Sequence, residues 1–117
     1  MGENEVKSQD RLSDDVIAGF VFDQVLSTDG VHGMGLRKSA AAITKSILSQ
    51  GKKTRGVRLI YEEEQGYTIE IYIIADFGSN IPETAWNVQK KVHDRLALEF
   101  GIEPRSINIH VQGVQAE

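Results

Sequence analysis

The sequence predicts a two-layer α+β domain in which two or three helices pack on one face of a small mixed or antiparallel sheet. Two segments carry apolar residues at helical spacing, and three carry them at every second position. Glycines and polar runs separate these segments. A chain of 117 residues is the size of one domain. It can bury roughly two thirds of its unfolded surface, which is enough for a single core.

The first predicted helix begins near Ser13, a residue type that caps helices. Asp14 and Asp15 occupy its first turn, where the helix dipole stabilises acidic side chains. Apolar residues then recur at helical spacing at Ile17, Phe20, Val21 and Val25. Gly30 is expected to close the helix, because glycine readily adopts the left-handed conformation, and a short strand follows. Residues 1–12 are predicted to be a flexible tail because they are polar and lack periodicity.

Three strands and a second helix are predicted in the remainder of the chain. The apolar faces of the strands are Val57, Leu59 and Tyr61, then Ile69, Ile71 and Ile73, and last Ile107, Ile109 and Val111. The polar run "EEEQG" is expected to join the first two strands as a hairpin. The long helix has Pro82 in its first turn and stops at Gly101, with Ser79 and Asn80 placed to cap it. The segment "SAAAITKSILSQ" is the optional third helix, with Ala40, Ile43 and Ile47 on one side.

The charges are unevenly distributed in a chain whose net charge is −4. Between Gly30 and Tyr61 there is no acidic residue, so residues 36–55 form a basic connector. Such a segment can contact an anionic membrane or a nucleic acid, or it can be a solvated connector that balances acids elsewhere. Composition favours the solvated connector. If it does make a contact, the residues concerned are Arg37, Lys38, Lys45, Lys52, Lys53 and Arg55.

The sheet face away from the helices is the candidate interaction surface. Its predicted members mix charge with aromatic and aliphatic side chains: Arg58, Ile60, Glu70, Tyr72, Ile74, Asn108 and His110. All of them except Glu70 are predicted to take part in a contact. If nothing within the monomer covers such a face, it is the best candidate for binding a partner or a second copy of the chain.

The glycine-rich stretch "STDGVHGMGLRKS" matches no phosphate-binding motif. A dinucleotide fingerprint requires a preceding strand and the spacing G-x-G-x-x-G, and a P-loop requires G-x-x-x-x-G-K-[ST]. Gly30 to Gly33 does have the GxxG spacing of a KH RNA-binding loop. An RNA-binding module that uses this turn and the basic connector is therefore the alternative function. We favour a plain turn into a strand, and the acidic net charge disfavours a nucleic-acid partner.

No catalytic or metal-binding constellation is predicted. His32, His93 and His110 lack the spacing expected of metal ligands, and Ser79 lacks a G-x-S-x-G context. Without cysteine, disulfides and thiolate metal sites are excluded. We expect a non-enzymatic protein with no cofactor, no metal and no small-molecule substrate. The polar N-terminus and the lack of an apolar run near about 18 residues predict a cytoplasmic protein, peripheral to a membrane at most.

Three stretches resemble the alkaline shock protein family, also called the envelope stress response family, of Gram-positive and related bacteria. They are "VIAGFVFDQVLSTDGVHGMG", "GVRLIYEEEQGYTIEIYIIADFGSNIPETAWNVQKKVHDRL" and "INIHVQGV". Residues 13–114 would form one such domain, and residues 36–55 depart from the family pattern in a variable connector. The resemblance implies a cytoplasmic, non-enzymatic protein of cell-envelope homeostasis. It also implies a homo-oligomer and a membrane-anchored partner protein, and it assigns no catalytic residue.

Overall fold

The structure, a computed structural model, describes residues 13–35 and 55–116. In chain order these residues form α1 (Asp14–Leu26), β1 (Val31–Met34), β2 (Val57–Glu62), β3 (Gly66–Asp76), α2 (Ile81–Phe100) and β4 (Ser106–Gln115). The predicted order of helix, short strand, hairpin, long helix and strand is confirmed. The flexible tail at 1–12 and the optional helix at 39–50 lie outside the described residues.

The sheet is mixed and is built around β3. Along one edge, β2 pairs antiparallel with the first half of β3 and β1 pairs antiparallel with its second half. The strand β4 runs parallel to β3 along the other edge. The helix α2 provides the long crossover that this parallel pair requires.

Tyr72 marks the point where β1 and β2 meet end to end. Its N–H donates to the carbonyl of Gly56 at 2.8 Å, and its own carbonyl accepts from the N–H of Gly35 at 2.7 Å. The edge of β3 is therefore lined by two strands that run in the same direction. Gly35 follows β1 and Gly56 precedes β2, and both bond to Tyr72 where the two strands meet.

The predicted N-terminal cap of α1 is confirmed, but its predicted end is not. Ser13 Oγ accepts from the N–H of Val16 at 3.3 Å. The helix ends at Leu26, before Gly30. Gly30 does have the expected left-handed φ of +93°, and it lies in the turn into β1. A Cβ atom at this position would clash with the side chain of Thr84, so both the turn and the close approach of α2 require glycine.

The ends of α2 follow the sequence prediction. The side chain of Asn80 accepts from the N–H of Glu83 at 3.0 Å, with Pro82 in the first turn. Ser79 contributes to the preceding turn, where its Oγ donates to the carbonyl of Asp76 at 2.7 Å. Gly101 ends the helix with a φ of +68°.

Both helices cover the same face of the sheet, and the core lies between the two layers. The strand β3 shows the alternation most clearly, because every second side chain is fully buried: Ile69, Ile71, Ile73 and Ala75. Both helices contribute apolar side chains that pack in the same core: Ile17, Val21 and Val25 from α1, and Val88, Val92 and Leu96 from α2. Neither helix of the described residues is long and apolar enough to cross a membrane.

Candidate interaction surface

The side of the sheet opposite α1 and α2 carries the predicted interaction residues, and we call it the open face. Its residues are Arg58 and Ile60 from β2, Glu70, Tyr72 and Ile74 from β3, and Asn108 and His110 from β4. Strand register brings them together, because Arg58 and Asn108 flank Glu70 on either side and His110 lies beside Tyr72. No helix or strand of the described part of the chain packs over this face.

Glu70 is the hub of the open face. Its Oε2 accepts from Asn108 Nδ2 at 2.9 Å, and its Oε1 makes a short hydrogen bond with His110 Nε2. Because an ionised carboxylate can only accept, Nε2 of His110 carries the shared proton. The Glu70 side chain is 17% exposed and that of His110 is 44% exposed. The carboxylate is therefore largely covered by its partners.

These contacts keep Glu70 ionised. Partial burial acts to raise the pKa of this carboxyl. The hydrogen bonds from His110 and Asn108, together with electrostatic attraction from His110 and Arg58, outweigh burial and hold the pKa below its ordinary value. Glu70 thus orders its neighbours as a fixed negative charge. It was predicted to lie on this face but was left out of the predicted contact set.

The aromatic and aliphatic part of the open face adjoins this polar cluster. The rings of Tyr72 and His110 stack with centroids 4.6 Å apart and an interplanar angle of 14°. Ile74 follows Tyr72 along β3 and Ile60 lies opposite Thr68 on β2, and both isoleucines are half-buried. Hydrogen-bonded polar groups and partly exposed apolar groups therefore share one continuous surface.

A second histidine–carboxylate pair lies at the end of the open face where β1 begins. His32 Nδ1 lies 3.3 Å from Asp76 Oδ1, and both side chains are more than a third exposed. No local pattern in the sequence predicts this pair, because its members are 44 positions apart. Within residues 13–35 and 55–116, no group of three or more histidine and acidic side chains could hold a metal ion.

The glycine motif does not form a KH loop. A KH loop joins two helices, whereas here the chain enters β1 at Val31 and pairs antiparallel with β3. The RNA-binding alternative is therefore not supported, and the plain turn into a strand is confirmed. Of the predicted basic contact residues, Arg55 lies half-buried in the turn before β2. The other five lie outside the described residues: Arg37, Lys38, Lys45, Lys52 and Lys53.

Several large apolar side chains of the described residues are exposed on the helices and in the turn after β3. Trp86 and Leu98 lie on α2 with 57% and 73% of their surfaces exposed, and Phe77 follows β3 with 74% exposed. Single exposed side chains of this kind are common on folded proteins and do not define a site.

Comparison with known proteins gives one family and several relatives. Residues 2–116 match the family model described as "Asp23 family, cell envelope-related function", a name unrelated to residue 23 of this chain. The chain is 35% identical to the uncharacterized protein YloU of Bacillus subtilis over 104 residues, covering 89% of this chain and 86% of YloU. It is 32% identical to the uncharacterized protein Spy1535 of Streptococcus pyogenes, covering 88% of this chain and 74% of the relative. No solved structure gives a significant match.

Proposed function

Since the chain belongs to the Asp23 family of cell envelope-related proteins, we propose that it is a non-enzymatic interaction protein of cell-envelope homeostasis. Its contact surface for other proteins is the open face. The observation that carries the proposal is the ordered cluster of Glu70, His110 and Tyr72 on a sheet face that no other described element covers. This membership agrees with the sequence resemblance described above, because the Asp23 family is the alkaline shock protein family.

The open face has the composition of a binding surface. Aromatic side chains and arginine are enriched where proteins bind each other, and Tyr72, His110 and Arg58 supply such groups. The stacking of Tyr72 on His110 and the hydrogen bonds to Glu70 already fix these side chains in the free protein. Fixed side chains lose little conformational entropy when a partner binds, which favours affinity.

The same cluster supports a binding role over a catalytic one. A general base needs a free lone pair directed at a substrate. Each oxygen of Glu70 already accepts a hydrogen bond, from His110 or from Asn108, so a substrate proton would compete with these contacts. The matching family description names no enzymatic activity.

Self-association and recruitment to the membrane complete the proposal. We place the protein in the cytoplasm, assembled as a homo-oligomer and held at the inner face of the membrane by a membrane-anchored partner protein. The family description supports a location near the envelope. Attachment through a partner agrees with α1 and α2, neither of which could span the bilayer.

The experiment is a pull-down with the tagged full-length protein from a gently solubilised membrane fraction, with and without nuclease. Wild type is compared with the double variant Tyr72→Ser, Ile74→Ser. The matched control is Leu98→Ser, which alters an equally apolar but more exposed residue on α2. We expect wild type and control to retain the same membrane protein after nuclease treatment, and the double variant to lose at least nine tenths of it, about 1.4 kcal/mol of binding.

Equal recovery by the double variant would contradict a contact through the open face. Loss of the captured proteins on nuclease treatment would contradict the proposal as a whole, because it would point to a nucleic-acid partner. Thermal unfolding of all three proteins checks that they are folded before the comparison is made.

A further inference from the structure

We propose that Arg58 binds a carboxylate of the membrane-anchored partner protein, so that the open face selects an acidic segment flanked by apolar side chains. This inference rests on the proposed function and gives the partner a chemistry. It starts from the side chain of Arg58, which is exposed on β2. Its guanidinium makes no hydrogen bond or ion pair with residues 13–35 or 55–116.

Arg58 lacks an ion pair although an acidic residue lies directly opposite it. Strand register sets Arg58 beside Glu70, and opposite charges that face each other across a strand pair are normally stabilising. The Glu70 carboxylate instead turns toward β4. One of its oxygens accepts from Asn108 Nδ2 at 2.9 Å, and the other makes the short hydrogen bond with His110. Arg58 acts on Glu70 through electrostatic attraction alone.

This arrangement leaves the donors of Arg58 unused. Two hydrogen bonds to an ionised carboxylate stabilise it more than one exposed ion pair across two strands would, so Glu70 keeps its contacts with β4. A guanidinium has five N–H donors in a planar fork and stays charged at any pH that a folded protein meets. Arg58 therefore presents a permanent positive charge and a free set of donors to a protein that binds the open face.

The acidic side chains of the open face already have basic neighbours. Glu62 lies 3.6 Å from Arg105, and Asp76 lies 3.3 Å from His32. A basic partner would have to displace an existing contact at each of these carboxylates, whereas an acidic partner meets unused donors at Arg58. Complementarity of charge and hydrogen bonding thus favours an acidic segment.

The neighbours of Arg58 determine the rest of the partner's chemistry. Ile60 lies two positions along β2 on the same face and is half-buried, and Tyr72 lies two positions from Glu70 on β3. A segment that places a carboxylate on Arg58 can therefore place its adjacent apolar side chains on Ile60 and Tyr72. The guanidinium fork pairs with a carboxylate through two parallel hydrogen bonds, which fixes the orientation of the bound segment.

The test extends the nuclease-treated pull-down of the full-length protein to three variants at one position. Arg58→Gln removes the charge, Arg58→Glu reverses it and Arg58→Lys keeps it. We expect Arg58→Gln to retain about a tenth or less of the membrane protein that wild type retains, Arg58→Glu no more than that, and Arg58→Lys clearly more. The matched control is Arg95→Gln on α2, which removes an exposed arginine already paired with Glu99 and should behave as wild type.

Carbodiimide coupling of the captured complex identifies the group that position 58 contacts. The reagent joins an amine directly to a carboxylate beside it, and Arg58→Lys introduces the amine. We expect mass spectrometry to find position 58 joined to an aspartate or glutamate of the captured membrane protein. Arg95→Lys introduces an amine on α2 and should give no link to that protein.

Capture by Arg58→Gln at the wild-type level would overturn the assignment, as would captured protein with no coupling at position 58 or with equal coupling at position 95. Thermal unfolding checks that the variants are folded. If Tyr72→Ser, Ile74→Ser loses the membrane protein while Arg58→Gln retains it, the carboxylate contact is wrong and the open-face contact stands. If wild type captures no membrane protein, both are overturned.

Discussion

The two faces of β3 come from one strand and serve different purposes. Toward the helices, Ile69, Ile71 and Ile73 are fully buried and belong to the apolar core between the two layers. Toward the open face, the intervening Glu70 and Tyr72 remain partly exposed and are held by hydrogen bonds and ring stacking. The first face stabilises the fold through burial, and the second keeps an ordered surface available for binding. Substitutions on the two faces should therefore have different consequences.

The largest expected difference is in the free energy of unfolding. Ile71→Ala removes a fully buried side chain between the layers and should lower the stability by about 2–5 kcal/mol. Ile74→Ala, three positions along on the open face, should cost about 1 kcal/mol because that side chain is only half-buried. Urea unfolding followed by circular dichroism gives both values.

Equal losses at the two positions would contradict the division of β3 into a core face and a contact face. In particular, a large loss at Ile74 would mean that another part of the chain covers the open face. The slope of the unfolding transition should be unchanged, which shows that the same surface is exposed in each variant.

A smaller effect should appear in the pH dependence of stability. The pKa of Glu70 is lower in the folded protein than its unfolded value of about 4.5, so the folded state favours the ionised form. Its contribution to stability is fully present above about pH 4.5 and is lost as the pH falls through the folded pKa. The acid-induced loss of stability should therefore be smaller in Glu70→Gln than in wild type.

Unfolding curves collected from pH 7 down to pH 3 would measure this difference. Glu63→Gln in the exposed turn between β2 and β3 serves as the control, and its curve should follow that of wild type. If Glu70→Gln also loses stability as steeply as wild type, the hydrogen bonds to Glu70 do not favour its ionised form in solution.

The two faces of the sheet and the starts of the helices can be predicted from the sequence alone. Strict alternation along β2, β3 and β4 predicts which residues share a face, and the caps at Ser13 and Asn80 predict where the helices begin. These are local signals, and the structure confirms them. The end of α1 was harder to predict. Glycine is required at position 30 by the close approach of Thr84 on α2, and not by the helix that precedes it.

Register and strand order could not be predicted, because they depend on contacts distant in sequence. Glu70 becomes the hub only when β4 aligns Asn108 and His110 beside it. His32 lies beside Asp76 only because β1 pairs with the second half of β3, while β2 pairs with the first half along the same edge.

The most direct test of the account is site-specific photo-crosslinking in growing cells. A photoreactive side chain is placed either at Ile74 on the open face or at Leu98, which is exposed on α2. We predict nuclease-resistant crosslinks to a membrane-anchored protein from position 74 and not from position 98. The same crosslinks from both positions, or none from position 74, would contradict the assignment of the open face as the contact surface.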